Sequence, residues 1–150
     1  MTGAEAYEKY ADELVQFATT LVGPADAADV VSDAVVRSIY GKSWPSVRNP
    51  RAYLYRAVLT HARSHHRHTL RRRAREHRAA GPEAVLPPEL HLEVVEAMAK
   101  LSMRQRAVVF LTYWSDLQPD RIAEMLEISE GSVRRHLARG RAKLRELLYE

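Results

Sequence analysis

Apolar residues recur at three- and four-residue spacing along nearly the whole chain, which is the period of amphipathic helices and not of strands. From Glu5 to Leu21 the positions Tyr7, Ala11, Leu14, Ala18 and Leu21 keep that spacing, and Gly23-Pro24 ends this helix and begins the next. A second helix carries Ala27, Val30, Val31, Ala34, Val35 and Ile39 on its buried side and stops near Gly41. After a loop containing Trp44 and Pro45, Asn49-Pro50 opens a third helix that runs through Leu54 and Val58. Asn is a strong N-cap, and Pro suits the first helical position because its missing N–H had no intrahelical partner anyway.

Ala79-Ala80-Gly81-Pro82 and Leu86-Pro87-Pro88 bracket a linker at 79–88, since consecutive prolines cannot continue a helix. Four further helical segments follow. The first spans Glu89–Leu101, and Ser102-Met103-Arg104-Gln105 is a capping box that starts the second, with Val108, Val109, Leu111 and Thr112. Pro119 opens a short third helix with Ile122, Ala123 and Leu126, and Ser129 caps a long last helix reaching Leu148. The expected fold is all-α, with two small helical domains, 1–78 and 89–150, joined by that short linker.

The segment Pro119–Leu144 has the layout of a helix-turn-helix. On its last helix Val133, Leu137, Gly140, Leu144, Leu147 and Leu148 fall on one side, while Arg135, Ala138, Arg139 and Ala142 face away, flanked by Arg134, Lys143 and Arg145. Small residues allow close approach to a major groove, and arginine can bond phosphate or read guanine edges. An ordinary charged helix face is the plainer alternative.

Charge distribution supports a polyanionic partner more than its sum does. The net charge is only +4, but Arg63 to Arg78 holds seven arginines, four histidines and one glutamate, and the last twenty residues are basic again. With no cysteine, disulfides, zinc–thiolate sites and cysteine nucleophiles are all excluded. No apolar run approaches the roughly 20 residues that span a bilayer, and no basic stretch leads into an apolar one at the start, so a soluble cytoplasmic protein without membrane contact is expected. His61 and His65 lie one turn apart, but surrounding arginines would repel a cation, so neither a metal nor another cofactor is expected. There is no glycine-rich phosphate loop, nucleophile elbow or paired-carboxylate pattern, hence no expected enzymatic activity.

Leu101-Ser102-Met103-Arg104-Gln105-Arg106, Ile122-Ala123-Glu124-Met125-Leu126, Ile128-Ser129-Glu130-Gly131-Ser132-Val133 and Arg139-Gly140-Arg141-Ala142-Lys143-Leu144-Arg145 together resemble region 4 of extracytoplasmic-function (group IV) sigma factors. Asp26-Ala27-Ala28-Asp29-Val30-Val31 and Asn49-Pro50-Arg51-Ala52-Tyr53-Leu54-Tyr55-Arg56 resemble region 2 of the same family. The resemblance implies a factor that binds RNA polymerase core and directs promoter-specific initiation, and it admits an anti-sigma protein as a further partner. It implies core binding by Asp29 and Asp33, an acidic ridge suited to a basic protein partner. It implies contacts to the −10 element by Trp44, Tyr53, Arg56, Thr60, Arg63, Arg67 and Arg71. It implies contacts to the −35 element by Ser132, Arg134, Arg135, His136, Arg139, Arg141 and Lys143. Tyr53 and Tyr55 could stack on unpaired bases or pack in the core, and Trp44 is the better candidate for an exposed aromatic. Thr60, His136 and Glu127 depart from the family pattern. Glu127 stands at the turn position where glycine is usual, which predicts a strained or reshaped turn. The rival reading is a stand-alone helix-turn-helix regulator.

Overall fold

The computed structural model describes residues 1–75 and 91–149, with residues 69–75 described by their backbone alone. Seven α-helices and one 3-10 turn make up the described residues, and the all-helical expectation holds. The linker at 79–88 and the start of the helix expected from Glu89 lie outside them.

Three helices form the first half: α1 (Gly3–Val22), α2 (Ala27–Ile39) and α3 (Pro50–Arg75). Thr2 and Glu5 close a capping box at the head of α1, a signal that the T-x-x-E spacing carried and that the apolar periodicity alone did not use. Gly23 ends α1 at φ 88, a backbone conformation open to glycine. The Asn49 side chain accepts the Ala52 N–H at 3.1 Å, as expected of the N-cap of α3.

The second half contains α4 (Leu92–Met98), α5 (Met103–Tyr113), α6 (Pro119–Leu126) and α7 (Glu130–Leu148). The capping box of Ser102 and Gln105 is present at α5, and Ser129 caps α7 by accepting from the Ser132 N–H at 3.0 Å. Val133, Leu137 and Gly140 are buried and Leu144 and Leu147 half-buried, but Leu148, expected on the inner side, is exposed. The apolar seam thus fades along the last turn of α7. Gly140 lets α7 close on α5: a Cβ built there would sit 2.9 Å from Cγ2 of Val109.

The two halves pack on each other. Phe17 of α1 lies 4.8 Å from the ring of Tyr55 on α3 and 5.2 Å from that of Phe110 on α5, and Phe110 stacks on Trp114 at 5.7 Å. Tyr55, Phe17 and Phe110 are sealed from solvent, so one apolar cluster runs through both halves. Such aromatic pairs add about 0.5–1.5 kcal/mol each beyond the area they bury.

Candidate nucleic-acid interface

The helix-turn-helix is built from α6 and α7. Pro119 sits in the first turn of α6, and Ile122, Met125 and Leu126 turn inward. The helix ends at Glu127 in the left-handed conformation, φ 56 and ψ 45, whose N–H reaches back to the Ala123 carbonyl. The unusual turn expected from a non-glycine residue here is therefore present. Ser129 then restarts the chain into α7.

On α7 the polar residues expected to meet DNA separate into two groups. Arg134 is held by Glu130 at 2.8 Å, Lys143 lies 3.9 Å from Glu146, and Arg141 donates to the hydroxyl of Tyr113 and sits over its ring. Arg135 and Arg139 are exposed and make no ion pair among the described residues. Their guanidiniums are the ones free to take an anion. Ser132 is half-buried beside the cap. His136 is also half-buried, with Nδ1 sealed from solvent and without a hydrogen-bond partner among the described residues. Burial, and then the charges of Arg104, Arg135 and Arg139, hold its pKa below the usual imidazole value. Arg104, exposed on the first turn of α5, thus belongs to this basic cluster. In the sequence its segment marked a helix start and part of the region 4 resemblance, and Arg104 was not counted among the basic groups.

A second basic face lies on α3. Tyr53, Arg56, Thr60, Arg63 and Arg67 follow one another at three- and four-residue steps, which places them in one stripe about 80° wide. Thr60, Arg63 and Arg67 are exposed. Tyr53, Arg56 and Thr60 line an open bowl of about 280 Å³, together with Arg37, Ser38, Ala57 and His61. The Arg56 guanidinium stands 5.8 Å from the Tyr53 ring centre. The side chain of Arg71 lies outside the described residues.

Trp44 does not extend this face. The exposed aromatic expected there is buried, because Trp44–Ser46 forms a 3-10 turn that folds the indole inward, edge-on to Tyr53 at 6.0 Å. Tyr55 packs as well: its hydroxyl donates to Glu13 at 2.9 Å, and Arg51 bonds the same carboxylate oxygen at 2.6 Å. Burial and the Glu13 charge push the Tyr55 phenol well above its ordinary range.

Asp29 and Asp33 are exposed one turn apart on α2, and neither makes an ion pair among the described residues. They line a groove of about 370 Å³ with Arg37 on α2 and Thr60, His61, His65 and His68 on α3. His65 Nε2 lies 3.2 Å from an Asp26 carboxylate oxygen. Among the described residues no group of three or more histidine, aspartate or glutamate side chains gathers as a metal site.

A helix-turn-helix with free arginines on its outer face defines a DNA-binding protein, and residues 91–144 match the family model of sigma-70 region 4. The similarity extends over both halves. The chain is 32% identical over 151 residues to the RNA polymerase sigma-E factor of Streptomyces avermitilis, covering 91% of this chain and 79% of that protein. The sigma-E factor of Streptomyces coelicolor is 31% identical, with 91% and 80% covered. The fold is similar to that of the sigma factor RpoE from Bartonella quintana, solved in complex with the anti-sigma factor NepR: TM-score 0.71, 22% identity, 97% of this chain and 96% of that one covered. The chain belongs to the RNA polymerase sigma factors. Because the alignment includes the first half, the stand-alone regulator reading is set aside. Among the described residues no helix is long and apolar enough to cross a membrane.

Proposed function

We propose that this chain is an extracytoplasmic-function sigma factor of group IV that joins RNA polymerase core in the cytoplasm, at the nucleoid, and recruits it to a two-part promoter. Residues 1–78 act as region 2 and residues 89–150 as region 4. Asp29 and Asp33 present carboxylates to a basic surface of the core enzyme. The α3 stripe from Tyr53 to Arg67 follows a melted −10 strand, with the bowl beside Tyr53 and Thr60 large enough to accept a flat base. Arg135 and Arg139 enter the groove of the −35 element, and Arg104 adds a phosphate contact. The chain catalyses no step itself. An anti-sigma protein is a fitting third partner.

The observation that carries this reading is the pair of separate arginine-bearing faces, one on α3 and one on α7, with the Asp29–Asp33 ridge of α2 bordering the α3 bowl through Arg37, Thr60 and His61. A regulator that binds duplex DNA alone has no use for the α3 bowl. The test is transcription in vitro: core polymerase is mixed with the purified chain and a library of promoter fragments. Initiation from a defined subset, absent with core alone, is expected. Core that neither retains the chain nor gains any promoter preference would overturn the proposal.

A further inference from the structure

Arg56 stands in two places at once. It lines the α3 bowl with Tyr53 and Thr60, yet its Nη1 donates to the carbonyl of Met125 in the last turn of α6 at 2.9 Å. Its Nη2 lies 3.7 Å from a carboxylate oxygen of Glu127, the residue that forms the left-handed turn of the helix-turn-helix. The Met125 carbonyl is among those a helix leaves without an intrahelical partner at its C-terminus, and a cation there also meets the negative end of the helix dipole. A glycine at 127 would adopt this turn without steric cost. This chain instead places there a side chain that reaches across to the other half.

We infer that Glu127 and Arg56 form an intramolecular latch, which docks the turn of the helix-turn-helix against the α3 bowl and withholds Arg56 from a single strand. The inference rests on the reading of α3 as a strand-binding face. In the latched chain one guanidinium N–H is taken by the Met125 carbonyl and Nη2 faces the Glu127 carboxylate, so a phosphate reaching Arg56 must compete with that carboxylate. Opening the seam frees it, so the nucleic acid and the helix-turn-helix compete for one side chain. The pair is weak by design of its geometry, being long and with Glu127 largely exposed. Its loss should shift the closed–open balance only about two- to fivefold, the range of an exposed pair.

The absence of cysteine lets two spin labels be placed at will, at K42C in the first half and E93C in the second, both exposed positions. Distances are read by pulsed electron resonance on the full chain, and binding by fluorescence anisotropy with a labelled single-stranded deoxyoligonucleotide of mixed sequence. E127G, which also relaxes the turn, and E127K, which sets two cations face to face, should both enlarge the long-distance population. The exchange R56E/E127R should restore the short one. E127G should bind the oligonucleotide about two- to fivefold more tightly than the parent, and adding Y53A should remove that gain. A distance distribution that is the same in the parent, E127G and E127K would overturn the latch. An opened distribution with no gain in oligonucleotide binding would overturn the competition, and with it the strand-binding reading of α3.

Discussion

The guanidinium of Arg106, near the start of α5, donates to the carbonyl oxygen of Leu21 in the last turn of α1 and so ties the two halves across 85 residues of sequence. It also donates to the carbonyls of Leu101 at 3.0 Å and Ala99 at 2.7 Å, and no carboxylate pairs with it among the described residues. Burial lowers its pKa from the ordinary value, yet carbonyls from the ends of α1 and α4 keep the charge solvated. Arg106→Leu leaves those carbonyls buried without this donor and should cost about 3 kcal/mol in urea unfolding. Arg106→Lys should recover only part of it, since an ammonium lacks the planar fork. Parent-like stability for the leucine variant would show that water replaces the guanidinium there.

Gly140→Ala should destabilise the chain even though alanine is the better helix former. The new methyl meets Val109 at 2.9 Å and Leu101 at 3.5 Å, and a branched valine has little room to yield. Overpacking of about 1–3 kcal/mol against a helix gain of about 1 kcal/mol leaves a net loss of about 1 kcal/mol. Thermal melting of parent and variant at matched conditions checks the sign.

Arg135 and Arg139 should differ in what they contribute to promoter binding. Arg135 lies nearer the N-terminus of α7, the part of a recognition helix that usually meets base edges. Arg135→Ala should relax base preference and cost about 1–3 kcal/mol if its contact is bidentate, whereas Arg139→Ala should weaken binding evenly across sequences. Holoenzyme titrated against a panel of −35 variants separates the two patterns, with circular dichroism as the folding control.

Reversing Asp29 and Asp33 to lysine should reduce retention of core polymerase while leaving the helical content unchanged, because both side chains point away from the α2 core. Co-purification of core with parent and double variant is the measurement. Equal retention would assign the core-binding surface elsewhere.

Stability should fall on acidification through two histidines. Burial first, then Arg37, lowers the pKa of His61 against an opposing effect from Asp33; burial first, then Arg104, Arg135 and Arg139, lowers that of His136. The unfolded chain therefore binds more protons than the folded one. The contribution is complete above the unfolded value of about 6.5 and is lost as pH falls through the lower folded values. Urea midpoints should drop as pH falls below about 6.5, and the H61Q/H136Q variant should show a flatter decline.

The helices were legible because their signals are local. Apolar spacing marked most of them, Asn49 and Ser129 marked two beginnings, and Glu127 marked a strained or reshaped turn, which is left-handed in the structure. What escaped depended on partners far away in sequence. Trp44 looked like a loop aromatic, since nothing nearby signals that its turn folds the indole against Tyr53. Arg56 matched a DNA-contact position, but its bond to Met125 joins residues 69 apart and leaves no trace in periodicity. Arg106 entered only as part of the region 4 resemblance, and its burial follows from how α1 and α4 end beside it.

The stack of Trp114 on Phe110 gives the chain an optical gauge. It has two tryptophans: Trp44 sealed in the first half, and Trp114 at the aromatic seam where the halves meet. The Trp44 indole nitrogen is buried without a hydrogen-bond partner among the described residues, so W44F forfeits no such bond. The remaining indole then emits from the seam alone. Drawing the halves apart would bring water to that ring and shift its emission to longer wavelength, while an opening confined to the far end of α7 would leave the spectrum in place. A stopped-flow trace of that single tryptophan on mixing with a single-stranded oligonucleotide, which has no indole of its own, would time the separation directly, without any attached dye.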